Sequence, residues 1–145
     1  MYHIPIWKVT LVRDGSAPSE RKKIFNAASA AELLKPLYEG LDREQFSVIL
    51  LAQNHTVIGV NVVSVGTLTE CIVHPREVYK PAVVANAAAV IVAHNHPSGD
   101  PKPSKADSDI TKRLAEAGEL LGIRFLDSVI LGDGSPYSFA EAGQL

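Results

Sequence analysis

The chain has 145 residues and 15.6 kDa, with 46% apolar residues, 21% charged residues and a formal net charge of −2. That composition excludes disordered, collagen-like and disulfide-scaffold classes, and the length suits one domain able to bury about 70% of its unfolded surface. A pI near 6.2 gives no bulk attraction to nucleic acid or anionic membrane, and Cys71, the single cysteine, leaves His, Asp and Glu as the material for any metal site.

Ile4 to Val12 is rich in β-branched and apolar residues and predicts a first strand, ended by the turn residues Asp14-Gly15-Ser16-Ala17-Pro18. The stretch lacks the basic and apolar regions of an export signal. Ser29 with Glu32 three residues on predicts a capping box opening a helix toward Tyr38, shortened or kinked at Pro36 and closed by Gly40. Phe46 to Ala52 reads as a buried strand, Gln53-Asn54-His55 as a turn, and Thr56 to Val65 as a strand weakened at Gly59. Leu68 to Val73 reads as a further strand, so this region is expected to form an antiparallel meander. Pro75 opens a helix toward Asn86. The apolar run from Ala82 to Ala93 contains Asn86 and is too short to cross a bilayer, so a cytoplasmic protein with no membrane association is expected. Val90 to Ala93 is an apolar strand running into His94, followed by a loop dense in Pro and Gly. Ser104 is the expected N-cap of a helix whose apolar face is Ala106, Ile110, Leu114, Ala117 and Leu121, with Gly122 closing it. Phe125 to Leu131 and Tyr137 to Phe139 complete a single mixed α/β (α+β) domain over residues 1–145: an N-terminal strand and helix over 1–40, and a strand-rich core over 41–145 with a mixed sheet flanked by helices.

The chemistry concentrates between His94 and Asp107. In an extended backbone, residues two apart point to the same side, so His94 and His96 can converge on one point off the strand end. Asp107 falls in the first turn of the next helix, and a constrained loop brings it back. Two neutral imidazoles and a carboxylate are a common first shell for catalytic zinc with an open position for water, whose pKa the metal lowers to about 7. The same donors also suit non-haem iron. A His-x-His pair alone is a weak signal, and Ser/Asp caps are common. The joint order of strand, paired His, Gly/Pro-rich loop and capped acidic helix is stronger, because histidines at the end of an apolar strand break the local pattern, as functional sites do. His3, His55 and His74 read as structural. Glu44, Glu70 and Glu77 are each a candidate general base, and spacing does not choose among them.

His94 to Asp107 follows the pattern HxHx₇Sx₂D. Its wording His94-Asn95-His96-Pro97-Ser98-Gly99, with Val73-His74-Pro75-Arg76-Glu77-Val78 upstream and Phe125-Leu126-Asp127 downstream, resembles the RadC branch of the JAMM (JAB1/MPN/Mov34) metallohydrolases over about residues 40 to 145. The resemblance implies a JAB/MPN-like, cytidine-deaminase-like architecture. It implies zinc (Zn2+) held by His94, His96 and Asp107, with Ser104 bonding the substrate oxygen or tetrahedral intermediate. It sets the family's upstream glutamate on Glu44, which would pass a proton from water to the leaving amine. Asn95 has the residue usual for the branch; Ser128 stands where the branch usually has His.

The expected function is therefore zinc-dependent hydrolysis of amide (peptide or isopeptide) bonds, with a protein or peptide as substrate and oligomerisation left open. The alternative is a DNA-repair-associated or nucleic-acid accessory module without proteolysis, since RadC-like proteins traditionally carry a DNA-repair label. Longer members have a helix-hairpin-helix segment that does not occur in these 145 residues. With Arg21-Lys22-Lys23 as the strongest basic cluster, direct DNA binding is disfavoured. A non-catalytic scaffold is argued against by the presence of all five motif positions.

Overall fold

The computed structural model describes residues 1–66 and 72–145. The elements run α1 (Ala27–Tyr38), β1 (Gln45–Leu51), β2 (Val57–Val65), α2 (Pro75–Val84), β3 (Ala89–Asn95), α3 (Lys105–Leu121), β4 (Arg124–Leu131) and β5 (Tyr137–Ser138). One five-stranded sheet has the order β2-β1-β3-β4-β5. β1 pairs antiparallel with β2 and with β3, β3 runs parallel to β4, and β5 closes antiparallel on β4. The parallel step needs a crossover, which α3 supplies.

The sheet is covered on both faces, which is why its central strands read as unbroken apolar runs. Ile49, Leu51, Ile91 and Ala93 pack with Ile24, Leu34 and Tyr38 on the α1 face. The alternate residues Val48, Leu50, Val90 and Val92 pack with Val78, Tyr79 and Leu114 of α2 and α3. α2 and α3 meet where Tyr79 Oη donates to the Leu114 carbonyl at 2.6 Å. Gly118 is required there, since a Cβ would lie 2.5 Å from Tyr79 Oη and 2.6 Å from the Ile123 carbonyl.

The expected mixed α/β architecture is the one found, and the strands at Phe46, Thr56, Val90, Phe125 and Tyr137 lie within a residue or two of their expected bounds. Three expectations are corrected. The strand over Ile4 to Val12 does not form: these residues are exposed and carry no regular secondary structure, because no strand of the sheet lies beside them. The N-terminal portion is therefore an arm and a helix. The cap of α1 is Asn26, not Ser29. The Asn26 side chain accepts from the Ser29 amide at 2.8 Å while Ser29 Oγ, in the third helical position, accepts from the Asn26 amide at 3.0 Å. Serine thus takes the part assigned to Glu32, which pairs instead with Arg21. The strand expected over Leu68 to Val73 falls mostly outside the described residues, and Ile72 and Val73 have no strand structure. Among the described residues no helix is long and apolar enough to cross a membrane.

Candidate metal centre

The site forms where β3 ends, between β1 and the first turn of α3. His94 stands opposite Phe46 in the β1–β3 ladder, and their rings stack with centroids 5.6 Å apart and planes 12° apart. The His94 and His96 ring centroids are 5.2 Å apart, as residues two apart on one strand face require. Asp107 reaches both from α3: Oδ1 lies 3.0 Å from His94 Nε2 and Oδ2 lies 3.1 Å from His96 Nε2. Of the described His, Cys, Asp and Glu residues, these three form a group with one ligand atom each within 4.8 Å of one another.

α3 delivers Asp107 through its cap. Ser104 Oγ accepts from the Asp107 amide at 3.1 Å, and Asp107 Oδ2 accepts from the Ser104 amide at 2.8 Å. The cap expected at Ser104 is thus also the device that aims the acid. The preceding loop is held by Gly99, whose φ of +93° suits glycine and whose carbonyl accepts from the Asp133 amide at 2.7 Å. A Cβ on Gly132 would lie 2.5 Å from that carbonyl, so both glycines are needed for the close approach.

The electrostatics call for a cation. A carbonyl can only accept, so His96 Nδ1, 2.9 Å from the Asp100 carbonyl, carries the proton in the neutral ring. Nε2 then presents a lone pair to a carboxylate oxygen, and two acceptors 3.1 Å apart need a proton or cation between them. His94 is buried, its Nε2 is not aligned for a hydrogen bond to Asp107, and neither of its ring nitrogens has a hydrogen-bond partner. Burial pushes the Asp107 carboxyl up. Hydrogen bonding and charge from His94, with the two Ser104 bonds, outweigh this and hold it well below the usual carboxylate range. A buried imidazole without a partner, a second one with its tautomer set by a carbonyl, and an ionised carboxylate together fit a divalent metal ion.

Of the three candidate bases, Glu44 is the one the fold brings here. Its Oε1 lies 3.9 Å from His96 Nε2, and its side chain is 23% exposed. Glu77 pairs with Lys80 at 2.6 Å on the surface of α2, and Glu70 lies outside the described residues. Asn95 sets where Glu44 stands. Its Oδ1 accepts from the Gln45 amide at 2.7 Å and its Nδ2 donates to the Arg43 carbonyl at 3.0 Å, clamping the backbone on either side of the glutamate. Sequence reasoning had assigned Asn95 no task. The available signal was a polar amide between two histidines at the end of a buried strand. Glu44, Phe46, Val73, Asp107, Ile110 and Arg113 border a cleft of about 310 Å³. Ser128 is buried in β4 opposite Val92, two strand positions before the residue level with His94.

Residues 24–144 match the family of RadC-like JAB domains. The chain is 49% identical over 134 residues to a UPF0758 protein of Symbiobacterium thermophilum, covering 92% of this chain and 57% of that protein. It is 49% identical over 125 residues to a UPF0758 protein of Rubrobacter xylanophilus (86% and 55%), and 54% identical over 103 residues to one of Trichlorobacter lovleyi (71% and 45%). The chain spans about half the length of these relatives.

Proposed function

Because the chain belongs to the RadC-like JAB domain family, we propose that it is a zinc-dependent hydrolase of amide bonds acting on a peptide or protein. The observation that carries the reading is the convergence of His94 Nε2, His96 Nε2 and the Asp107 carboxylate, with Glu44 close by. His94, His96 and Asp107 would hold the ion. When bound, such an ion polarises a carbonyl oxygen and lets water ionise near neutral pH.

The chain's own residues supply the rest. Glu44 Oε1, too far at 3.9 Å from His96 Nε2 to bond it, takes a proton from the attacking water and returns it to the leaving amine nitrogen. Ser104 Oγ accepts from the Asp107 amide with a lone pair, so its proton remains available to donate to the developing oxyanion. Phe46 and Asp107 fix the His94 ring, and the Asp100 carbonyl fixes that of His96, so neither must reorganise during the reaction.

The test joins metal content to proteolysis. Protein purified without added metal is assayed by elemental analysis, then incubated with a diverse peptide library read by mass spectrometry. About one zinc per chain, with cleavages absent in Glu44→Gln at unchanged zinc content, is the expected outcome. Loss of zinc in Glu44→Gln as complete as in His96→Ala would make Glu44 a ligand and refute the proton-transfer role.

A further inference from the structure

The arm over residues 4–12 and the outer edge of β2 are two unsatisfied halves of one β-interaction. Ile4, Ile6, Trp7, Val9, Leu11 and Val12 are between 48% and 96% exposed, an uncommon density of apolar side chains for a segment in water. β2 is a terminal strand of the sheet, nine residues long, and it exposes Ile58, Val62 and Val65. A long edge strand with apolar side chains is a template for another strand. The arm matches it in length, at about 30 Å for nine residues.

The arm cannot reach this edge within its own chain in the existing register. Only the first residues of β2 are covered: Lys23 bridges Thr56 antiparallel, the Val57 amide donates to the Lys22 carbonyl at 2.8 Å, and the Ile24 amide donates to the His55 carbonyl at 3.1 Å. Continuing that register, one residue back for each residue forward, sets Val12 opposite position 67 and Ile4 opposite position 75, beyond the end of β2 at Val65. The intervening residues include Pro18, which has no amide to donate, and Gly15 at φ +125°.

The surface area favours a second copy. A compact monomer of 15.6 kDa exposes about 7,250 Å², whereas this chain exposes 9303 Å². The excess of about 2,000 Å² exceeds the roughly 800 Å² that each partner contributes to a standard interface. We propose that two copies of this chain exchange arms, residues 4–12 of each adding as a strand to the β2 edge of the other. Reciprocal exchange gives a closed two-fold dimer and leaves neither edge open.

Pro5 sets the parity of the pairing. A proline in an added strand must turn its nitrogen away from the ladder, and amide direction alternates along a strand. The amides of Ile4, Ile6, Lys8, Thr10 and Val12 therefore face the partner's β2, and those of Trp7, Val9 and Leu11 face outward. Thr10→Pro should break the ladder, whereas Val9→Pro should be accepted. Neither position touches the folded body, so both variants retain the fold.

The experiment uses the full 145-residue chain. Light scattering gives the mass and Trp7, the single tryptophan, reports burial by its emission, both followed upward from about 0.1 µM, where standard-sized interfaces can assemble. The expected result is a dimer with blue-shifted Trp7 emission in the wild type and Val9→Pro, and a monomer with water-exposed emission in Thr10→Pro. A monomer at every concentration overturns the proposal, whether Trp7 is exposed or buried within its own chain. So does a dimer that survives deletion of residues 1–12, or equal behaviour of the two proline variants.

Discussion

Replacing Asn95 with alanine removes the clamp on the Glu44 backbone without touching a metal-ligating side chain. Two hydrogen bonds are lost, from the Gln45 amide at 2.7 Å and to the Arg43 carbonyl at 3.0 Å. Asn95 is 8% exposed, so water replaces it incompletely and the two backbone groups are left partly unsatisfied. Two net bonds and that desolvation penalty come to about 1–3 kcal/mol. At a few degrees per kcal/mol for a chain of this length, Tm should fall by roughly 3–10 °C. Zinc content should stay at the wild-type level, while peptide cleavage falls with the loss of Glu44's placement. Asn95→Asp keeps an acceptor for Gln45 but sets a carboxylate oxygen against the Arg43 carbonyl, so it should fail to rescue. The assays are thermal melts by circular dichroism, elemental analysis and the library digest. Unchanged Tm and cleavage in Asn95→Ala would refute the clamp, and loss of zinc with intact Tm would show that Asn95 serves the metal ligands instead.

Adding zinc to metal-free protein should raise Tm, since a ligand at 100 times its Kd stabilises the native state by about 2.7 kcal/mol. His94→Ala, His96→Ala and Asp107→Ala should each abolish the zinc-dependent part of the shift in differential scanning fluorimetry. Gly118→Ala sets a Cβ against Tyr79 Oη and the Ile123 carbonyl, so it should destabilise by about 1–3 kcal/mol in urea unfolding, even though alanine favours helix. In the metal-free protein the Asp107 carboxyl is held below its ordinary value, so the folded state binds its proton less readily than the unfolded chain does. Its stabilising contribution is then present above the unfolded pKa of about 3.9 and lost as pH falls through the lower folded value. Metal-free wild type should lose stability below about pH 4 more steeply than metal-free Asp107→Asn, measured by urea unfolding across pH.

The local chemistry of the sequence carried the metal ligands and the elements that bear them. Two residues of strand separate His94 from His96, and a serine cap three residues before Asp107 turns the acid back toward them; both depend on short-range backbone geometry. The buried strands β1 and β3 were equally legible, because a strand covered on both faces must be apolar along its whole length. Which acid accompanies the ligands was a different kind of question. Glu44, Glu70 and Glu77 are alike as residues, and the β1–β3 pairing sets Glu44 beside a histidine fifty-two positions later. The Asn95 clamp depends on that same long-range pairing. The arm shows the limit most clearly: Ile4 to Val12 has the residue pattern of a strand, but a strand exists only against a partner edge, and the single chain offers none in register. Periodicity and capping are properties of consecutive residues, whereas the neighbour of a strand edge and the acid beside a metal site are decided by which distant segments the sheet brings together.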